Sequence, residues 1–90
     1  MRASRTAVIC NERGLHARAS AKFVQTVEKF DAAVTVSKDG MSVGGSSIMG
    51  LMMLAAGPGA EIEIVAEGPD AEAVAKALED LVSCRFDEER

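Results

Sequence analysis

The fold class is decided by one stretch of the sequence, EIEIVAE at residues Glu61–Glu67. Glutamates occupy one side of this pattern, and Ile62, Ile64 and Ala66 occupy the other. A period of two residues predicts a β-strand with one charged face and one apolar face. Such a strand belongs to a sheet with a solvent-exposed face or edge, which is typical of antiparallel sheets.

A β-hairpin is predicted upstream of this strand, around Asp39-Gly40. Residues 34–37 alternate in polarity, and an Asp-Gly pair is a strong signal for a two-residue hairpin turn. A short third strand should follow at residues 41–43. The first strand is predicted from Ser4 to Cys10, buried on both faces because it ends in an apolar run.

Three helices are predicted between and after these strands. The first runs from His16 to Phe30, the second from Ser47 to about Leu54, and the third from an Asp70 cap to about Ser83. The first and third show helical spacing of apolar residues, at Phe23, Val24, Val27 and Phe30 and at Val74, Leu78, Leu81 and Val82.

The order of these elements is βαββαβα. It predicts an α+β open-faced β-sandwich, in which three helices cover one face of a four-stranded antiparallel sheet. With 90 residues, we expect a single domain over residues 1–90.

Composition restricts the classes of function. The net charge of −4 and the absence of a Lys/Arg stripe argue against a nucleic-acid partner. No apolar run suits a signal peptide or a membrane span, so we expect a soluble, cytoplasmic protein. Cys10 and Cys84 are expected to be reduced, and a single histidine without Cys/His spacing argues against a metal site.

His16 is the one residue whose position points to chemistry. It lies at the start of the first helix, where unpaired backbone N–H groups and the helix dipole favour a bound anion. Arg18 adds a planar cation suited to phosphate oxygens. By position alone, a surface or capping role for His16 and a solvated charge for Arg18 are the more common interpretations.

Two strings together carry a family resemblance. Residues 14–19 read GLHARA and residues 47–52 read SIMGLM. At this spacing the chain resembles the HPr family, the histidine-containing phosphocarriers of the bacterial phosphoenolpyruvate-dependent phosphotransferase system. The resemblance implies that His16 is phosphorylated through Nδ1 and that Arg18 assists the transfer. It also implies that the backbone N–H groups of Ala17 and Arg18 receive the phosphate.

The resemblance also assigns roles to the second helix. Ser47 matches the serine that an HPr serine kinase/phosphorylase modifies in many members, and the alternative is a simple N-cap. Methionine can repack against several partners, so an apolar docking patch is implied here. The patch residues are Ile48, Met49 and Met52. The alternative is that they are core residues, although Leu51 and Leu54 are better candidates for the core.

The implied partners are enzyme I as phosphoryl donor and an EIIA-type protein as acceptor, with no cofactor. We expect a monomeric carrier, not an enzyme, acting in sugar transport or in nitrogen and stress regulation. One departure is Ala19, where the family usually has proline. This departure favours the nitrogen-related branch of the HPr family over the sugar-uptake branch.

Two other functions are alternatives to the phosphocarrier. A regulatory adaptor would act by binding, controlled by phosphorylation of Ser47. A small-ligand module would need an apolar pocket, which a 90-residue chain with three aromatic residues hardly supplies.

Overall fold

The secondary structure follows the predicted order. The computed structural model describes residues 1–89. The strands are β1 (Arg2–Val8), β2 (Ala33–Lys38), β3 (Met41–Gly44) and β4 (Glu61–Glu67). The helices are α1 (Ala17–Val27), α2 (Ile48–Met53) and α3 (Ala71–Ser83), followed by a short 3-10 turn at Arg85–Asp87.

The sheet has the strand order β1-β4-β2-β3, and every neighbouring pair is antiparallel. β4 lies in the interior of the sheet, and its apolar residues Ile62, Ile64 and Ala66 are fully buried under the helices. Its glutamates point to the open face and are exposed. The prediction of an open-faced α+β sandwich is therefore confirmed.

The hairpin between β2 and β3 turns at Asp39 and Gly40, as predicted. Their φ angles are 50° and 85°. Positive φ at both central residues is the requirement of a type I′ turn, whose twist matches that of the flanking strands.

Three details differ from the sequence prediction. β1 ends at Val8, not Cys10, and Val8 is 50% exposed, so burial on both faces was wrong. The reason is that Val8 lies on the open face of the sheet, opposite the exposed Glu61 of β4. α1 ends at Val27, because Lys29 and Phe30 donate to carbonyls three residues back, which closes the helix with tight turns.

The third difference concerns Asp70, which makes no side-chain cap bond to α3. Its carboxylate accepts a hydrogen bond from the backbone N–H of Asp31 at 2.8 Å, and its own N–H donates to the Asp31 carbonyl at 3.1 Å. Asp70 therefore joins the turn before α3 to the turn before β2.

Two further observations concern the cysteines and the features typical of membrane-spanning or metal-binding proteins. Cys10 and Cys84 are not joined by a disulfide, and both side chains are exposed. Within residues 1–89, no helix is long and apolar enough to cross a membrane, and no cluster of His, Cys, Asp and Glu is arranged to hold a metal ion.

The Asp70 bridge predicts a specific stability effect. Asp70→Ala should lower the free energy of unfolding by about 1 kcal/mol, because it removes the acceptor for the Asp31 N–H. Asp70→Asn should retain most of that stability, since its amide oxygen can still accept. Asp80→Ala on the exposed side of α3 is the control, with an expected loss below about 0.5 kcal/mol. Urea denaturation measures all three, and equal losses for Asp70→Ala and Asp80→Ala would contradict the bridge.

Candidate functional site

His16 is the N-cap residue of α1, with an extended backbone (φ −74°, ψ −179°). The loop before it is held against the segment that follows α2, because Leu15 N–H donates to the Ala56 carbonyl at 2.9 Å. Gly14 has φ +62°, and a Cβ there would lie 2.2 Å from the Ala56 oxygen. Only glycine permits this approach, so Gly14 determines where His16 enters the helix.

The His16 ring faces the first turn of its own helix. Its Nδ1 accepts a hydrogen bond from the backbone N–H of Arg18 at 3.3 Å. In this arrangement Nδ1 carries a lone pair, and the hydrogen of the neutral ring lies on Nε2. The N–H groups of Ala17 and Arg18 both belong to the first turn, where helical amides have no intrahelical partner.

The other ring nitrogen contacts a carboxylate from the far end of the chain. The distance between His16 Nε2 and Glu88 Oε2 is 2.5 Å, and the two side chains are only 18% and 15% exposed. Asn11 is fully buried and donates to Glu88 Oε1 at 3.1 Å and to the Gly14 carbonyl at 2.9 Å. Both oxygens of Glu88 are therefore hydrogen-bonded within the site.

Glu88 reaches His16 through an unusual turn after α3. Arg85, Phe86 and Asp87 have φ angles of 59°, 53° and 63°, a left-handed conformation that costs about 1–2 kcal/mol per non-glycine residue. Phe86 is fully buried in the core, and Lys22 Nζ donates to its carbonyl at 2.6 Å. These contacts hold the turn and direct the chain back toward the start of α1.

The site carries charges of both signs. Glu12, Arg13, Arg18 and Glu88 line one surface pocket beside the ring. Burial raises the pKa of Glu88, but hydrogen bonds from His16 and Asn11 and the nearby positive charges outweigh it. The pKa of Glu88 therefore lies below its ordinary value of 4.5. This carboxylate is ionised at neutral pH.

The second predicted site residue, Ser47, caps α2. Its hydroxyl accepts a hydrogen bond from Gly50 N–H at 2.9 Å, and the residue is exposed. The N-cap geometry is thus present, and the same hydroxyl remains open to solvent. Ser46 beside it is also exposed.

The apolar residues of α2 divide between core and surface. Leu51 and Leu54 are buried, as predicted. The predicted patch is exposed, with Ile48, Met49 and Met52 at 40%, 70% and 41%. Met53, which the sequence analysis did not assign, is 65% exposed. Met52 lines a shallow pocket together with His16, so the patch adjoins the histidine.

Sequence reasoning missed Glu88 and Asn11 as parts of the site. The available signal was Phe86, a lone aromatic residue in an otherwise charged tail after the last helix. An isolated aromatic of this kind indicates that the tail is anchored to the core.

Fold and site together define a small open-faced α+β protein whose single histidine caps a helix at the surface. A family model described as "PTS HPr component phosphorylation site" matches residues 3–83. The phosphocarrier protein HPr of Neisseria meningitidis is 50% identical over 80 residues, which are 89% of this chain and 90% of that protein. The phosphocarrier protein NPr of Shewanella violacea is 39% identical over 84 residues, covering 93% and 92%.

A solved structure of HPr from Thermoanaerobacter tengcongensis is similar throughout. It has a TM-score of 0.93 and 44% identity, with 98% of this chain and 99% of that chain covered. The chain belongs to the HPr family of phosphocarriers of the phosphotransferase system.

The lowered pKa of Glu88 predicts how stability depends on pH. The stabilisation from ionised Glu88 is fully present above the unfolded-state pKa and is lost as pH falls through the lower folded-state pKa. Glu88→Gln should lower the melting temperature at pH 7 by roughly 4–8 °C, corresponding to about 1 kcal/mol. The difference from wild type should shrink below pH 4.5, the ordinary pKa of the carboxyl.

Calorimetry between pH 3 and pH 7 would test this expectation. Glu89→Gln is the matched control, because Glu89 is exposed and the substitution removes the same charge one residue away. A difference between Glu88→Gln and wild type that stays constant with pH would contradict the role of the ionised carboxylate.

Proposed function

We propose that the protein is a phosphoryl relay, in which phosphorylated enzyme I donates to His16 and phospho-His16 donates to a histidine of an EIIA-type protein. Membership of the HPr family supports the general role of a phosphocarrier. The observation that carries the specific assignment is the Nδ1 lone pair of the only histidine, held at the first turn of α1. The protein is regenerated in each cycle and acts as a carrier.

The proposed transfer needs no resident metal or organic cofactor. The Nδ1 lone pair attacks the phosphorus of a phosphohistidine in line, and the P–N bond of the donor breaks. The electron pair of that bond returns to the donor ring, while a new P–Nδ1 bond forms on His16. The second transfer repeats this sequence with the acceptor histidine as nucleophile.

The helix start supplies the stabilisation that the phosphoryl oxygens need. The Arg18 N–H that now bonds to Nδ1 becomes available to a phosphate oxygen once Nδ1 is bonded to phosphorus. The Ala17 N–H and the exposed Arg18 guanidinium are two further donors that the start of α1 can offer. Their effect is electrostatic, because phosphoryl transfer depends chiefly on positioning and charge stabilisation.

Docking is assigned to the patch formed by Ile48, Met49 and Met52. The patch adjoins His16 through the pocket that Met52 and His16 share. Its flexible methionines suit a carrier that must meet a donor and an acceptor with different surfaces. Donor and acceptor would therefore dock in turn on one surface.

A second candidate function is that of a regulatory adaptor, favoured by the exposed Ser47 hydroxyl at the edge of the patch. An HPr serine kinase would add a charge of about −1.5 to −2 there and change which partners dock. The relay and the adaptor are compatible in one protein. His16→Ala should abolish the relay and leave the adaptor intact.

The proposal extends to the setting of the carrier. We assign the function to one domain over residues 1–90, acting as a monomer in the cytoplasm. Sugar transport and nitrogen or stress regulation are the two downstream pathways, and the EIIA-type acceptor that docks determines which one is served.

The relay predicts a label on His16. Wild-type protein incubated with enzyme I and radioactive phosphoenolpyruvate should acquire a label that is lost in acid and survives alkali, as expected for a phosphoramidate. His16→Asn should take up none. Asparagine is a good N-cap residue, so this variant keeps α1 folded and separates loss of the nucleophile from loss of structure. An unchanged label in His16→Asn would contradict the assignment.

Arg18 and the patch should affect different kinetic constants. Phosphoenolpyruvate is supplied at a saturating concentration, so that enzyme I stays phosphorylated and the carrier is the varied substrate. Arg18→Ala should then lower kcat for phosphorylation of the carrier by about 100-fold and change the KM for the carrier little. Met49→Asp should raise KM about tenfold with a small effect on kcat, since a charge is placed in an apolar interface. Arg2→Ala, on the exposed end of β1, is the control. A pure KM effect in Arg18→Ala would assign Arg18 to docking.

A further inference from the structure

We infer that Glu88 is a positioning residue for His16, which fixes the ring tautomer and orientation and supplies the counter-charge for the phosphorylated ring. This inference rests on the proposed relay and deepens it. It brings the C-terminal segment, residues 85–88, into the functional site.

The tautomer is determined by two independent contacts. An ionised carboxylate can only accept hydrogen bonds, so the 2.5 Å contact with Glu88 Oε2 requires a hydrogen on His16 Nε2. At the other nitrogen, the Arg18 N–H can only donate, so Nδ1 must present its lone pair. Both contacts select the tautomer in which Nδ1 is the nucleophile.

The carboxylate is itself held in place. Asn11 is fully buried and bridges Glu88 Oε1 and the Gly14 carbonyl. Gly14 in turn lies against the Ala56 oxygen, and the Leu15 N–H donates to that oxygen, so the chain of contacts ends on the segment that follows α2. A group fixed in this way can orient the imidazole as a carboxylate orients a metal-binding or catalytic histidine.

The backbone geometry of the tail supports a specific role. Three consecutive non-glycine residues in the left-handed region persist only where surrounding contacts hold them, and such strain is concentrated at functional sites. Here the burial of Phe86 and the Lys22 hydrogen bond to its carbonyl supply those contacts. The result of the turn is that Glu88 lies against His16.

The counter-charge follows from the proton balance of the proposed transfer. When Nδ1 bonds to phosphorus while Nε2 keeps its hydrogen, the ring becomes a cation, and no proton leaves the protein. The Glu88 carboxylate is hydrogen-bonded to that nitrogen and neutralises the new positive charge. The other charged groups around the site are Glu12, Arg13 and Arg18, which line a surface pocket together with Glu88.

Two measurements on Glu88→Gln, Glu88→Ala and the control Glu89→Gln test the inference. Imidazole 15N spectra of the neutral ring should show the Nε2–H tautomer alone in wild type and in Glu89→Gln, and a mixture in Glu88→Ala. The rate constant for phosphoryl transfer from phosphorylated enzyme I should fall by on the order of tenfold or more in Glu88→Gln and Glu88→Ala, and the KM for the carrier should be unchanged. Thermal melts confirm that each variant is folded at the assay temperature.

Chemical rescue separates positioning from a merely structural contribution. Added formate should restore part of the transfer rate in Glu88→Ala, because a free carboxylate can occupy the space beside Nε2. It should have no effect on His16→Asn or on wild type.

The same measurements distinguish a failure of the relay from a failure of the role of Glu88. If wild type accepts label and Glu88→Gln transfers at the wild-type rate with an unchanged tautomer, the role of Glu88 is overturned and the relay stands. If wild type accepts no label from enzyme I, the relay is overturned, and the role of Glu88 in transfer with it.

Discussion

The hydrogen bond from the Arg18 N–H to Nδ1 of His16 is the interaction on which the site depends. It places the lone pair of the only histidine over the one part of a helix that carries unpaired donors and a partial positive charge. A side chain can hold that position only if the preceding loop enters the helix at the correct angle. Gly14, pressed against the Ala56 oxygen, meets this requirement, and α1 is anchored below by the buried Phe23 and Val27.

The architecture explains why the chemistry lies at the surface. With helices on one side of the sheet and charged β4 residues on the other, the interior is filled by side chains and the open face carries glutamates. A small domain of this kind buries a modest fraction of its surface and has no room for a deep active site. Helix starts at the edge of the sandwich then become the places where backbone donors can meet a ligand. His16 and Ser47 occupy two of these starts, and the exposed Met52 of α2 lines a pocket together with His16.

The turn formed by Arg85, Phe86 and Asp87 contributes both to the stability of the fold and to the geometry of the site. Its left-handed residues are unfavourable in isolation, and the burial of Phe86 offsets that cost. Removing the charge of Glu88 would therefore affect both the folded state and the histidine ring, which share one hydrogen-bonded group. Asn11 also contributes to both the fold and the site, because its amide nitrogen donates to the Gly14 carbonyl and to the Glu88 carboxylate.

The sequence alone determined what local periodicity encodes. The alternation of Glu61–Glu67, the Asp39-Gly40 turn, the capping position of Ser47 and the division of α2 into buried leucines and exposed methionines were all predictable, because each depends on residues within a few positions. The exposure of Val8 was not, since it depends on which face of the sheet the helices leave open. The carboxylate of Asp70 was assigned to the wrong partner for the same reason, because Asp31 is 39 residues away. Only the tertiary structure showed that Glu88 contacts His16, 72 residues away. The left-handed turn that makes this contact contains no glycine by which the sequence could have predicted it, and the buried Phe86 holds it in place.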